Sequence, residues 1–331
     1  MRILFKRIIN YSLLIINSIG ASAQLNWINV DSLYQPLPAS VHIFKTTDTL
    51  DGKPNIAYYI IADLKDKKLL FDADTTLNRR FTPLQFYQKN SQPLVVVNCT
   101  FFSFATNQNL NVVIKDGRMV GYSIHTIAGH GKDTLTYRHP TGSAIGISKR
   151  RNADIAWLYA DTAMKYPVAF ERTPELLKDS FPWVSKFSFA PELHHLPKTE
   201  KRRGIKDKWK MKTAVGGGPV LLQNGEVRIT NNDELKFAGK AIDDKHPRTA
   251  MGYTKDNKLI ILVVQGRFPG VAEGATLGHE AKILQDLGCW EALNLDGGGS
   301  SCMLVNGKET IKPSDTAGQR AVPAVFIIKN K

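Results

Sequence analysis

The sequence predicts an α+β fold with mostly antiparallel or mixed β-sheets, few helices and a single domain that carries an insertion. Three tight turns support this prediction, because Asp-Gly and Asn-Gly pairs between apolar runs favour two-residue β-hairpins. These pairs are Asp116-Gly117, Asn224-Gly225 and Asn306-Gly307. Short apolar runs dominate the chain, whereas only one segment shows a strong helical period. This hairpin-rich order argues against a doubly wound parallel sheet.

The first 23 residues have the pattern of a secretory signal peptide. Three basic residues precede a largely apolar stretch, and Ala21-Ser22-Ala23 is typical of a cleavage site. We therefore expect residues 1–23 to be removed, residues 24–331 to form the domain, and the protein to be exported, either periplasmic or secreted. No later segment is apolar and long enough to span a bilayer, so we expect no stable membrane insertion after cleavage.

Composition restricts the classes of partner and chemistry. The chain of 331 residues has a net charge of +14, which favours an acidic partner such as an anionic glycan. Nucleic acid is not expected, because an exported chain without a recognisable binding motif gives no reason for it. The sequence has no GxSxG, HExxH or Walker motif and no metal-ligand spacing of histidines, so we expect no metal and no cofactor. Cys99, Cys289 and Cys302 are expected as buried thiols, with one disulfide as the alternative.

The N-terminal half is predicted as a series of strands with one short helix. An irregular segment is expected over residues 24–40. Strands are predicted at 41–44, 56–62, 68–71 and 93–98, the last because PLVVVN is a continuous apolar run. A helix is predicted over 81–90, since Thr82 can cap its start and Pro83 suits its first turn.

The C-terminal half contains a probable insertion and one strongly periodic helix. Residues 170–212 are rich in proline, aromatic and charged residues, and we expect them to form a surface insertion. The segment TLGHEAKILQDL, residues 276–287, predicts a helix that Thr276 caps and a following glycine ends. Its apolar face includes Glu280, whereas His279 points away. A carboxylate on an apolar face must be paired, protonated or used for chemistry; a helix edge that reaches solvent is the alternative.

The stretch LNLDGGGSS places one carboxylate at the end of a predicted buried strand. Asp296 is followed by Gly297, Gly298, Gly299 and Ser300. Three consecutive glycines weaken a strand, so they indicate a backbone that needs positive φ or close approach by another group. Successive N–H groups in such a loop can also form a nest for an anion. The stretch therefore predicts a functional site, with a capped tight turn as the alternative.

Other candidate site residues are carboxylates, guanidinium groups and glycines near predicted strand ends. They are Glu273 and Glu280, the cations Arg248, Arg267 and Arg320, the glycines Gly217 and Gly218, and Asn98 at the end of PLVVVN. Arginine favours bidentate recognition of phosphate, although a surface ion pair is the commoner role for any one of them. Because most of these residues follow strands, we expect them to meet at one shared sheet edge.

Several motifs, in a fixed order, resemble those of the phosphodiester glycosidase family. They are NCTFF from Asn98, NVV from Asn111, AVGGGPVL, RTAMG, a strand ending in QGR, LGCWEALNLDGGGSSCMLVNG and Arg320. The resemblance covers residue 95 to the C-terminus, apart from 170–212. The family tends to have an acid at the position of His279, and in this chain the acid is Glu280. Which of these two side chains faces the site stays open at this point.

The resemblance implies hydrolysis of a small-molecule or glycan sugar-1-phosphodiester to a free sugar and a phosphomonoester. Asp296 is then the candidate nucleophile or general base, with Glu280 or Glu273 as the second acid. The phosphate would be held by Arg248, Arg320 and the N–H groups of residues 297–299, and Asn98 would orient a sugar hydroxyl. Two alternatives remain, namely a metal-assisted phosphodiesterase that cuts P–O and a non-catalytic module that binds anionic glycan.

Overall fold

The computed structural model describes residues 24–124, 126–128, 134–174, 177–178, 205–206 and 208–331. The predicted signal peptide and most of the predicted insertion lie outside these residues, so both stay predictions. Within the described residues, no helix has the length and apolar character needed to cross a bilayer.

Strands dominate the fold, as the sequence predicts. In chain order they are β1 (Ile28–Asn29), β2 (Val41–Thr46), β3 (Ala57–Asp63), β4 (Leu69–Thr75), β5 (Val95–Asn98), β6 (Val113–Lys115), β7 (Arg118–Gly121), β8 (Ile127–Ala128), β9 (Tyr137–His139), β10 (Gly142–Ile147), β11 (Ala153–Tyr159), β12 (Val168–Phe170), β13 (Leu177–Lys178), β14 (Ile205–Lys206), β15 (Thr213–Gly216), β16 (Val220–Gln223), β17 (Glu226–Val227), β18 (Arg248–Thr254), β19 (Lys258–Val264), β20 (Cys289–Asn294), β21 (Met303–Val305), β22 (Lys308–Glu309) and β23 (Ala324–Asn330). The Asp-Gly and Asn-Gly turns join β6 to β7, β16 to β17 and β21 to β22.

These strands form four sheets. An eight-stranded sheet has the order β1-β2-β3-β19-β18-β20-β16-β17, and a seven-stranded sheet has the order β14-β12-β11-β10-β15-β6-β7. A five-stranded sheet has the order β22-β21-β5-β23-β4, and β13-β9-β8 form a small fourth sheet. Every ladder between these described strands is antiparallel, which confirms the predicted hairpin-rich architecture.

The described residues contain three α-helices, α1 (Pro83–Lys89), α2 (Asn231–Glu234) and α3 (Leu277–Asp286). The Thr82 hydroxyl caps α1, and the Thr276 hydroxyl accepts the His279 N–H at 3.1 Å at the start of α3. Gly288 follows α3 with a φ of +80°, the left-handed conformation that ends helices. Both predicted helices are therefore confirmed by their caps.

One hydrophobic core joins the three large sheets. It includes Ile60 from the eight-stranded sheet, Ile145 and Trp157 from the seven-stranded sheet, and Val97 and Phe326 from the five-stranded sheet. A second cluster lies under α3, where Leu277, Ala281 and Leu284 pack on the other face of the eight-stranded sheet. Because the large sheets share one core, they form a single domain.

The expectation of an irregular segment over residues 24–40 is partly wrong. β1 pairs with β2, and the Asp31 carboxylate accepts the Ile43 N–H at 2.7 Å. The segment also contains a 3₁₀ turn at Asp31–Tyr34. A two-residue edge strand has too little periodicity to be recognised in a sequence, and its partner strand alone defines it.

Candidate active site

The predicted site residues lie where strands from three sheets end, not at one shared sheet edge. Asp296 follows β20 of the eight-stranded sheet, Asn98 ends β5 of the five-stranded sheet, and Gly217 follows β15 of the seven-stranded sheet. The Asp296 N–H donates to the Cys99 carbonyl at 2.8 Å, which joins the first two. The expectation of a single edge is wrong because sequence-distant strands are distributed among sheets by tertiary pairing, which a linear pattern does not encode.

The side-chain amide of Asn98 forms hydrogen bonds with three other segments around the site. Its Nδ2 donates to the Asp296 carbonyl at 2.6 Å, while its Oδ1 accepts the Thr249 hydroxyl at 2.9 Å and the Cys302 N–H at 3.1 Å. The side chain is fully buried. These bonds make Asn98 a positioning residue for the Asp296 loop, and the predicted contact with a sugar hydroxyl would require one of them to be exchanged.

The second glycine cluster lies against the strand that leads to Asp296. A Cβ on Gly217 would overlap the Asn294 carbonyl oxygen, and Gly218 has a φ of +115°. Asn294 in turn donates its side-chain amide to the Gly218 carbonyl at 2.8 Å. These two glycines therefore allow close approach of protein groups, and their predicted role in substrate binding stays a prediction.

The Asp296 carboxylate is buried at the base of the glycine loop. Its Oδ2 has no hydrogen-bond partner among the described residues. Burial raises the pKa of Asp296 to about 7, against the opposing effects of the Ser300 hydroxyl, the Arg320 charge and the Gly297 N–H. A carboxyl with such a pKa can give or accept a proton near neutral pH, which is what acid–base catalysis requires.

Two guanidinium groups flank the glycine loop. A Cβ on Gly298 would lie 2.9 Å from Arg267 Nη2, and a Cβ on Gly299 would overlap Arg320 Nη2. Arg320 Nε donates to the Asp315 carboxylate at 2.6 Å, and its Nη1 lies 3.5 Å from the hydroxyl of Ser300. Within the described part of the chain, the exposed Arg267 guanidinium makes no hydrogen bond or ion pair. The two cations can therefore hold an anion beside Asp296.

The backbone nest predicted for the same loop is largely used by the protein itself. The Gly298 N–H donates to the Pro247 carbonyl at 2.8 Å, and the Gly297 N–H serves the Asp296 carboxylate. The expectation that all three glycine N–H groups hold a phosphate is therefore corrected for these two. The cause is the Pro247 carbonyl immediately before β18, which accepts the Gly298 N–H. The sequence pattern does not reveal this contact.

Glu280 and Arg248 are two further buried ionisable groups near the glycine loop. Both carboxylate oxygens of Glu280 lack hydrogen-bond partners among the described residues, and burial raises the pKa of Glu280 to about 8, although the Arg248 charge lowers it. Arg248 donates from Nε to the Ala275 carbonyl at 2.9 Å and from Nη2 to the Asp244 carbonyl at 3.1 Å. Arg248 begins β18 beside the glycine loop, since a Cβ on Gly297 would lie 3.8 Å from its Cα.

Between the two neighbouring candidates on α3, Glu280 is the one that faces inward. His279 takes part in the cap of α3, and its Nε2 lies 2.6 Å from the Asp51 carboxylate at the surface. Glu280, about 100° further round the helix, is fully buried. The helical period therefore predicted the burial of Glu280 correctly, although the family resemblance suggests an acid at position 279.

Glu273 belongs to the loop that carries Arg267, but its carboxylate points elsewhere. Its carbonyl accepts the Arg267 N–H at 3.5 Å, whereas its carboxylate lies 4.0 Å from the Lys53 ammonium. This orientation makes Glu280 the better candidate for the second acid.

His246 is a site residue that the sequence reasoning missed. Its Nδ1 is buried without a hydrogen-bond partner among the described residues. Burial lowers the pKa of His246, and the nearby charges of Arg248 and Arg267 lower it further. The signal was present in HPRTAMG, where the histidine precedes Arg248 by two residues. In the described ranges, no group of three or more His, Cys, Asp and Glu side chains is arranged to hold a metal ion.

Comparisons with known proteins identify the family of this chain. The sequence profile of the phosphodiester glycosidase family matches residues 91–329. The chain is 31% identical over 103 residues to N-acetylglucosamine-1-phosphodiester alpha-N-acetylglucosaminidase of Mus musculus, an alignment covering 29% of this chain and 20% of that protein. It is 37% identical over 83 residues to the SPbeta prophage-derived uncharacterized protein YomE of Bacillus subtilis, covering 25% of this chain and 13% of that protein. The matched segments are thus a minor part of both relatives.

The fold is also similar to solved structures. The catalytic domain of zebrafish N-acetylglucosamine-1-phosphodiester alpha-N-acetylglucosaminidase, described as auto-inhibited by its pro-peptide, superposes with a TM-score of 0.59 at 20% identity. That match covers 93% of this chain and 89% of the zebrafish chain. A hypothetical protein from Synechocystis gives a TM-score of 0.58 at 15% identity, covering 92% of this chain and 64% of the other. At these identities the likeness establishes the fold.

Proposed function

The chain belongs to the phosphodiester glycosidase family, and we propose that it is an exported hydrolase that cleaves a sugar-1-phosphodiester at the sugar C–O bond. The observation that carries the proposal is the Asp296 carboxyl, buried with a pKa of about 7 and flanked by the guanidinium groups of Arg267 and Arg320. Such a site suits a substrate with one negative phosphate next to the bond that breaks.

In the proposed reaction the phosphodiester lies between Arg267 and Arg320. The anomeric C–O bond breaks, and its electron pair leaves with the phosphate oxygen, so that the guanidinium groups stabilise the departing phosphomonoester. A phosphomonoester is a better leaving group than an alkoxide and needs less help from a general acid. Asp296 acts at the anomeric carbon, either as the nucleophile or as the base that activates water; the two outcomes differ in anomeric configuration.

Glu280 has a supporting role in this proposal. Its carboxyl, with a pKa of about 8, is mostly protonated at pH 7 and lies near the buried Arg248. A neutral acid beside a buried cation leaves the net positive charge of Arg248 available to the site. Glu280 thereby supplies the second carboxyl of the site, and Arg248 strengthens the positive potential that holds the phosphate.

The test is hydrolysis of a panel of sugar-1-phosphodiesters by the mature chain in heavy-oxygen water. N-acetylglucosamine-1-phosphodiester is the first substrate, because the mouse relative is named for it. Heavy oxygen in the released sugar supports the proposal, whereas heavy oxygen in the phosphate shows cleavage of P–O instead. Binding of every diester without turnover would indicate a glycan-binding module.

The Asp296→Asn variant tests the role of the carboxylate. We expect it to lower kcat by at least about a hundredfold while leaving the fold intact, since loss of a general base or nucleophile has effects of this size or larger. Asp116→Asn is the matched control, because Asp116 lies in an exposed β-turn at a positive φ that asparagine tolerates. Substantial turnover by Asp296→Asn would remove this residue from the mechanism.

Export is part of the proposal and is supported by the signal-peptide pattern of residues 1–23. N-terminal sequencing of the protein from the envelope or the medium should give a mature chain that begins at Gln24. An unprocessed N-terminus in the cytoplasm would contradict it.

A further inference from the structure

A pocket of about 230 Å³ adjoins the candidate active site behind two aromatic rings. Phe101 and Phe237 line it, with their ring centroids 5.9 Å apart in an edge-to-face arrangement. The pocket lies near Arg248 of the candidate site, because the Arg248 guanidinium carbon is 5.9 Å from the centroid of the Phe237 ring. Phe101 also follows the segment whose Cys99 carbonyl holds the Asp296 N–H. The pocket and the Asp296 loop are therefore held by neighbouring segments of the chain.

The pocket contains one cation that has no anionic partner. The Lys236 ammonium lies 5.4 Å from the Phe101 ring centroid, and none of the described carboxylates is within ion-pair distance of it. Burial lowers the pKa of Lys236, and the nearby charge of Glu234 opposes this effect. A lysine in a part-enclosed, largely apolar pocket gains most from an anionic ligand, because water screens its charge poorly there.

Glu234 also lines the pocket and its charge acts on Lys236, but its carboxylate oxygens accept hydrogen bonds from other groups and not from the ammonium. Oε1 accepts the Trp157 indole N–H at 3.0 Å, the Val220 N–H at 2.9 Å and the Thr230 hydroxyl at 2.7 Å, and Oε2 accepts the Ser143 hydroxyl at 2.8 Å. Four hydrogen bonds hold this carboxylate in the core, and it makes no ion pair with Lys236. The ammonium is left for another partner.

The glycine at position 218 makes this arrangement possible. A Cβ there would overlap Glu234 Oε2 and lie 2.5 Å from Lys236 Cε. The end of the lysine stem therefore lies against the Gly218 backbone, in space that a Cβ would occupy. The same glycine has a carbonyl bonded to Asn294, two residues before Asp296, so the pocket and the carboxylate share one support.

We propose that this pocket is a subsite for an acidic substituent of the substrate, a carboxylate or phosphate carried in addition to the phosphodiester, and that Lys236 is the residue that selects it. The inference rests on the proposed function, since it names the class of sugar-1-phosphodiester that the same site takes. The acidic group can belong either to the sugar or to the alcohol esterified to the phosphate. In both cases the pocket would bind an anion beside the Phe101 ring.

The test is calorimetric binding of non-hydrolysable C-glycosyl phosphonate esters in matched pairs. One pair compares glucuronic acid with glucose as the sugar, and the other compares glycerate with glycerol as the esterified alcohol. We expect the wild-type chain to bind the acidic member of one pair at least about tenfold more tightly, the size of one charge-assisted contact. The pair that shows the preference identifies which side of the phosphate enters the pocket.

Variants assign the preference to the ammonium. Lys236→Met keeps the length of the stem and should abolish the preference, Lys236→Arg should retain it, and Lys236→Gln repeats the charge loss if the methionine variant does not fold. Lys282→Met is the control, because Lys282 is exposed on α3 and forms an ion pair with Asp286. Equal binding within both pairs by the wild type, or a preference that survives in Lys236→Met, would overturn the proposal.

The two proposals fail in different ways. If no phosphodiester is hydrolysed but the acidic phosphonate still binds more tightly through Lys236, the catalytic proposal fails and the subsite stands. If diesters with and without the additional acidic group are hydrolysed with the same kcat/KM, and the corresponding phosphonates bind equally, the catalytic proposal stands and the subsite is refuted.

Discussion

Replacing Glu280 by glutamine should change how the stability of this domain depends on pH. Glu280 is fully buried, and neither of its oxygens has a hydrogen-bond partner among the described residues. Its pKa of about 8 stands against 4.5 for an ordinary glutamate. Between these values the folded chain binds a proton that the unfolded chain does not, so the free energy of unfolding falls as pH rises.

The magnitude follows from the width of that window. Each pH unit within it lowers the free energy of unfolding by about 1.4 kcal/mol through this one group. From pH 5 to pH 7 the wild-type chain should therefore lose roughly 2 to 3 kcal/mol that Glu280→Gln does not lose. The contribution of Glu280 to the free energy of unfolding is fully present below the unfolded-state pKa of 4.5. It falls as pH rises, and the fall levels off above the folded-state pKa of about 8.

Urea unfolding of both proteins at pH 5, 6, 7 and 8 measures this difference. Subtracting the two profiles removes the contributions of Asp296 and other shared groups, and Glu226→Gln, on the exposed edge strand β17, controls for the loss of a carboxyl as such. A constant difference from pH 5 to pH 8 would refute the reasoning. It would show that the attraction of Arg248 outweighs burial and keeps Glu280 ionised throughout.

Three further predictions concern activity. Arg267→Met should lower kcat/KM at least about tenfold through one lost charge-assisted contact while leaving the melting temperature unchanged, and an unchanged kcat/KM would place the phosphate elsewhere. Gly299→Ala should also lower kcat/KM, because its Cβ displaces the Arg320 guanidinium; urea unfolding should show a loss of less than about 1 kcal/mol, since Gly299 does not have a positive φ. The kcat/KM of the wild type should rise with pH through about 7 as Asp296 ionises, and a profile flat from pH 5 to pH 8 would exclude Asp296 as the base or nucleophile.

Local patterns in the sequence were sufficient for much of the fold and for the centre of the site. The helical period placed Glu280 on the buried face of α3, and the Thr276 cap and Gly288 terminus fixed the ends of that helix. The run LNLDGGGSS predicted a carboxylate at the end of a buried strand beside a glycine loop, and Asp296 lies between β20 and the glycine turn. These features depend on residues within one or two turns of each other, which is the range that periodicity and capping rules describe.

The parts that the sequence did not reveal depend on contacts between distant segments. The Pro247 carbonyl takes the Gly298 N–H, and the amide of Asn98 bridges to Asp296 across about two hundred residues of sequence. Lys236 makes no ion pair with Glu234, because the Glu234 carboxylate accepts hydrogen bonds from residues on other strands. Such pairings are set by how the sheets pack, so no local motif predicts them.

The position of β23 has a consequence for how this protein matures. β23 lies between β5 and β4, hydrogen-bonded to both, although it follows them by most of the length of the domain. The ribosome must therefore release residues through Asn330 before this sheet can close. Long-range closure of this kind slows folding, because a large loop loses its entropy before the pairing repays it.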